Sequence, residues 1–161
     1  MTNYPRILVI LPTYNENENI KGGSLQVITL WHVLEHVTDL EDTITFFKST
    51  LNKDGILIIA VPNPASYDAK YYKEYWAAYD VPRHLYHFEE NTVKQLFSNY
   101  KFQLIETKPM KFDSFYVSML SEKYKTGSVN LVKAFWIGLL SNLKAKNSSS
   151  YSSTIYVFKH L

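Results

Sequence analysis

The run Leu51-Asn52-Lys53-Asp54-Gly55-Ile56-Leu57-Ile58-Ile59-Ala60-Val61-Pro62-Asn63 carries the strongest structural signal in the chain. Ile56 to Val61 is continuously apolar and stops at Pro62-Asn63-Pro64. An apolar run without alternation suits a strand covered on both faces in a parallel sheet. The polar residues before it break a helix that Asp39 can cap. That helix is expected over about Leu40 to Leu51, with Ile44, Phe47 and Leu51 on one face. Gly55 is able to take positive φ at the break.

On the amino-terminal side, Arg6 to Leu11 is a second apolar run ended by Pro12, and Leu25 to Trp31 is a third. Lys21-Gly22-Gly23-Ser24 between them reads as a linker. On the other side lies an aromatic stretch, Tyr67 to Phe88, in which Tyr71, Tyr72, Tyr75, Trp76 and Tyr79 have helical spacing. It reads as a lid helix or as a packed amphipathic helix. Glu89 to Tyr100 is predicted helical, Phe102 to Lys108 a strand, 112 to 146 mostly helical and Ser153 to Lys159 a last strand. Asn147 to Ser153 reads as a loop. Strands alternating with helices predict an α/β fold over 1–161, a single domain with a mostly parallel, doubly wound Rossmann-like sheet and one antiparallel edge strand.

The 161 residues are 46% apolar and 20% charged, which fits a folded domain. A net charge of +2 excludes a dedicated polybasic nucleic-acid binder. The absence of cysteine excludes a disulfide framework, a Cys-ligated metal and a thiol nucleophile. No run reaches the length of a membrane span, and the first residues lack a signal-peptide pattern, so a cytoplasmic location is expected. Lys133, Lys144 and Lys146 lie around Phe135, Trp136 and Leu139. That segment could touch a membrane surface, or dock on the core or on a second copy.

From Leu25 onward the chain resembles the carboxyl-side half of a class I S-adenosylmethionine-dependent methyltransferase. Val27 to Val37 matches the fourth strand and its turn. Leu51 to Asn63 matches the helix-to-fifth-strand signature. Asp80-Val81-Pro82-Arg83-His84-Leu85-Tyr86-His87-Phe88 resembles the Arg-His segment before the next helix in one branch of the family. The family's Gly-rich cofactor loop has no counterpart among the five glycines. Only 13 residues separate Leu11 from Leu25. A βαβ unit takes roughly 30 residues, so two strands of the family sheet do not fit between them. Arg6 to Leu11 is expected to stand where the family's first strand would, beside Leu25 to Trp31.

Arg6-Ile7-Leu8-Val9-Ile10-Leu11-Pro12-Thr13-Tyr14-Asn15-Glu16 resembles the opening of family 2 glycosyltransferases. On this reading residues 1–24 are a glycosyltransferase-like leader joined to a methyltransferase-like part, 25–161. That family's Asp-x-Asp metal motif is absent, and Asp39-Leu40-Glu41-Asp42 has the spacing of a helix start.

The methyltransferase resemblance implies S-adenosylmethionine as cofactor and a small-molecule methyl acceptor. Ligands of open α/β sheets bind outside the carboxyl ends of the strands. Trp31, His32 and Val33 would therefore line the cofactor, Trp31 offering an aromatic face to a sulfonium. Methyl transfer needs alignment and, for weak nucleophiles, a base. His36 and His84 are the candidate bases. Arg83 would orient an anionic acceptor or pair with Asp80. His32-x-x-Glu35-His36 also matches an inverted zinc-peptidase string, but His32 comes directly after a strand, and no metal is expected. Two other readings are a non-catalytic chimeric remnant and a glycosyltransferase fragment. A strand edge left exposed would favour homodimerisation.

Overall fold

The computed structural model describes residues 6–10 and 20–161. Its strands are β1 (Ile7–Ile10), β2 (Leu25–Trp31), β3 (Leu51–Pro62), β4 (Phe102–Pro109) and β5 (Ser153–His160). They form one sheet in the order β1-β2-β3-β5-β4. The helices are α1 (Leu40–Thr50), α2 (Tyr67–Tyr72), α3 (Glu90–Asn99), α4 (Asp113–Thr126) and α5 (Leu131–Ser148).

β1, β2 and β3 are parallel. Ile7 lies opposite Val27 and Ile10 opposite Leu30; Val27 lies opposite Ile56 and Trp31 opposite Ala60. β5 runs the other way. Lys159 Nζ reaches Asp54 Oδ1 at 2.9 Å, and the next residue, His160, places Nδ1 3.2 Å from the earlier Asn52 carbonyl. The expected α/β, Rossmann-like sheet is present, and its reversed strand lies between β3 and β4.

β3 is longer than the apolar run that announces it. Leu25 pairs with Leu51 but Val27 with Ile56, so β3 carries three extra residues in a bulge. The positive φ at the break falls on Asp54 (68°), not on Gly55. Gly55 answers a different need. A Cβ there would sit 2.9 Å from the Asn52 carbonyl oxygen and 2.9 Å from Leu51 Cδ2, so the backbone closes only around glycine.

The chain divides into two compact units. The first comprises Met1–Val61, Asn91–Thr107 and Ile155–Leu161. Its core joins Ile28 and Leu30 of β2, Leu57 and Ile59 of β3, Ile44 and Phe47 of α1, Val93 and Phe97 of α3 and Phe158 of β5, all buried. Phe97 stacks on Phe158 at 4.7 Å. Each such side chain contributes roughly 1.5–3 kcal/mol on burial. Asp39 caps α1 by accepting from Asp42 N at 2.9 Å, as its position predicts. The segment read as a linker is a turn fastened to α1, since Gly23 N donates to Ser49 O at 2.9 Å.

The second unit comprises Pro62–Glu90 and Lys108–Thr154. Ala69, Tyr72, Trp76, Ala77, Ala78, Val117 and Ile137 form its core. The aromatic stretch is not a continuous lid helix. α2 stops at Tyr72, Lys73 takes φ 53°, and two short 3₁₀ turns come next. Tyr72 and Trp76 are each 1% exposed, so they pack this core. Asp68, fully buried, ties the unit together. Its carboxylate accepts from Trp76 Nε1 (2.8 Å), Ser141 Oγ (2.6 Å) and Ser152 Oγ (2.7 Å).

Candidate functional site at the carboxyl end of the second strand

β2 ends at Trp31, which leaves 38% of its surface exposed. The chain then turns sharply. His32 takes φ 53°, and its N–H donates to Ala60 O at 3.0 Å, the last bond before the turn leaves the sheet. A left-handed non-glycine residue costs about 1 kcal/mol or more and is held here by that bond and by the closed turn after it. Val33 is buried, and Leu34–His36 forms one 3₁₀ turn closed by His36 N donating to Val33 O at 2.9 Å. His36 is half-buried. This geometry defeats the peptidase reading, because His32 and His36 do not share a helix face.

Glu35, the middle residue of the His32-x-x-Glu35-His36 string, has no expected role in methyl transfer. It is 1% exposed, and its Oε1 lies 3.3 Å from His32 Nδ1. Its Oε2 is buried and accepts no hydrogen bond among the described residues. A buried carboxylate oxygen without a donor is costly and uncommon. The only sequence signal for it was its place in the His32-x-x-Glu35-His36 string.

Arg83 and His84 belong to the second unit, in the loop after Asp80. Arg83 Nη2 and Nε donate to Asp80 Oδ1 at 2.6 and 3.1 Å, and this bond raises the guanidinium pKa above its ordinary value. Arg83 therefore pairs with Asp80, one of the two roles its spacing allowed. His84 is held more closely. Its Nδ1 lies 2.8 Å from Ala78 O, so Nδ1 carries the hydrogen and donates. In the neutral ring that leaves Nε2, 3.9 Å from Asp80 Oδ2, as the basic nitrogen. His87 Nε2 donates to Tyr79 O at 3.0 Å and fixes the same loop.

A family model described as a methyltransferase domain matches residues 9–107, more than half of the chain. The chain belongs to the methyltransferase domain family. The match begins at Val9, within β1, so it reads across the segment that resembles a glycosyltransferase opening. Nothing found supports that second resemblance, and most of its residues, 11–19 above all, lie outside those described. No curated protein matches the chain.

Solved structures agree on the fold. A Thermotoga maritima SAM-dependent methyltransferase, described as a possible histamine N-methyltransferase, superposes with TM-score 0.56 at 13% identity, over 91% of this methyltransferase-family chain and 60% of that one. Haemonchus contortus phosphoethanolamine N-methyltransferase 2, in complex with S-adenosyl-L-methionine, gives 0.52 at 12% identity, over 88% and 34%. Streptomyces coelicolor geranyl diphosphate C-methyltransferase, in complex with Mg2+, a geranyl thiolodiphosphate and S-adenosyl-L-homocysteine, gives 0.50 at 12% identity, over 90% and 49%. The family chain described here spans less than two thirds of each.

Proposed function

We propose that this chain is an S-adenosylmethionine-dependent methyltransferase that transfers a methyl group to a small-molecule acceptor. The observation that supports it best is the end of β2. There a parallel strand delivers a partly exposed tryptophan, a left-handed histidine and a buried carboxylate to the edge where α/β folds bind ligands. Those residues fit the cofactor. Trp31 offers a face to a cation, and Glu35 Oε2 is an acceptor without a donor. Trp31, His32 and Val33 would hold the cofactor, which supplies a methyl group activated on a sulfonium sulfur.

The chain's own part is to align the acceptor and move its proton. His36 and His84 are the candidate bases, and in His84 the proton would be taken at Nε2 while Nδ1–H stays on Ala78 O. Arg83, held by Asp80, fixes the turn that carries His84 and so acts by positioning. The acceptors named for the solved relatives differ from one another, so the proposal stops at a small molecule. We also propose that β1 pairs with β1 of a second copy, which makes the working form a homodimer.

Calorimetric titration with S-adenosylhomocysteine tests the reading. Binding tighter than millimolar supports it, and no heat at millimolar ligand overturns it. The missing Gly-rich loop favours one other reading, a family member that no longer binds cofactor, and the same null result would establish that.

A further inference from the structure

The second unit contains a helical hairpin, α4 and α5, that leaves large apolar residues on its outer face. Beside Val117 and Ile137, which join the core, the buried positions are Ser114, Ser118, Ser121 and Glu122 of α4 and Ala134, Gly138, Ser141 and Ala145 of α5, so the inward faces are mostly small and partly polar. The helices approach so closely that a Cβ on Gly138 would meet Phe115 Cδ1 at 2.8 Å and its Cα at 3.0 Å. Several of the bulkiest residues point the other way. Phe112 is 87% exposed, Val132 70%, Trp136 56% and Phe135 53%, with Leu140 and Leu143 continuing the stripe along α5. A helix of a water-soluble domain normally turns its large apolar residues inward. Small residues between helices and large ones outside is the arrangement suited to contact with lipid.

Charge selects the occupant. Residues 108–148 hold seven lysines against Asp113 and Glu122, a surplus of five, whereas the whole chain carries +2. Lys133 is bound to Glu122 at 3.0 Å, and Lys144 sits over the Tyr67 ring at 3.9 Å, so both flank the apolar stripe from fixed positions. A second copy meeting this face would bring like charges together. An anionic surface would not. Neither helix is long and apolar enough to cross a membrane, which leaves contact in the plane of the surface.

We propose that the α4–α5 hairpin docks on an anionic lipid bilayer, with Phe112, Val132, Phe135 and Trp136 entering the headgroup boundary and the lysine surplus of residues 108–148 drawing it to the phosphates. The test is co-sedimentation of the whole chain with vesicles of phosphatidylcholine alone and of equal parts phosphatidylcholine and phosphatidylglycerol. Binding should be at least about tenfold stronger to the anionic vesicles and should weaken with added salt. The doubly substituted F135S/W136S chain should lose about tenfold in binding with an unchanged melting temperature. Should that variant melt early, Lys144→Gln with Lys146→Gln provides the reading, with loss of the anionic preference expected. No binding, equal binding to both vesicles, or variants that bind like the parent chain would overturn the proposal. So would loss of self-association in F135S/W136S, since a second copy would then be what covers this face.

Discussion

Glu35 Oε1 lies 3.3 Å from His32 Nδ1, while the other oxygen of the same carboxylate is buried without a donor. One oxygen of a buried carboxyl group thus goes without a hydrogen bond beside the end of β2. Glu35→Gln should leave the melting temperature unchanged or higher, because the buried Oε2 it replaces makes no hydrogen bond to lose. It should also weaken S-adenosylhomocysteine binding by about tenfold or more, the worth of one hydrogen bond to a charged group. Thermal melting and calorimetry on the same variant separate the two effects. Lower stability with intact binding would make Glu35 a purely structural residue.

Asp68 presents the opposite case, a buried carboxylate with three donors. Asp68→Ala strands Trp76 Nε1, Ser141 Oγ and Ser152 Oγ, and should cost on the order of 3 kcal/mol or more in urea unfolding. A change under about 1 kcal/mol would show that water replaces the carboxylate.

Tyr72 gives the second unit an alkaline limit. Burial first, and then the neighbouring Glu122 carboxylate, raise its phenol well above the ordinary tyrosine value. The unfolded tyrosine ionises first as pH rises, so stability is fully present below the ordinary pKa and is lost above it. The urea midpoint should fall as pH rises above about 10, and Tyr72→Phe should flatten part of that fall. An identical slope in the variant would place the alkaline sensitivity elsewhere.

β1 is the last strand in the sheet order among the described residues, and Ile7 and Val9 are 55% and 54% exposed. An apolar edge of this kind invites pairing with another chain. Sedimentation should show concentration-dependent association that Ile7→Lys with Val9→Lys abolishes. A parent chain that stays monomeric at every concentration would remove the edge from the account.

The parts of this architecture legible in the sequence are those fixed by local chemistry. Ile56 to Val61 announces β3, Asp39 announces the start of α1, and Trp31 with His32 after it announces the exit of β2. Distant contacts are what letters hide. Gly55 is able to take positive φ, yet it is needed because the Asn52 carbonyl passes close by, and the positive φ belongs to Asp54. Tyr67 to Tyr79 has helical spacing, but burial of Tyr72 and Trp76 outweighs it and breaks the helix after one element. In the candidate site, the histidines stand out because imidazole titrates near neutrality. Glu35 does not, because nothing local tells a buried carboxylate from an exposed one.

The claim on which the rest depends is that cofactor binds at the exit of β2. The chain has three tryptophans, Trp31 there, Trp76 bound to Asp68, and Trp136 on the outer face of α5. Their indole N–H signals in a nitrogen-15 spectrum can be tracked during titration with S-adenosylhomocysteine. A saturable shift of the Trp31 signal, with those of Trp76 and Trp136 unmoved, is the predicted result. A Trp31 signal that stays fixed at millimolar ligand would contradict it.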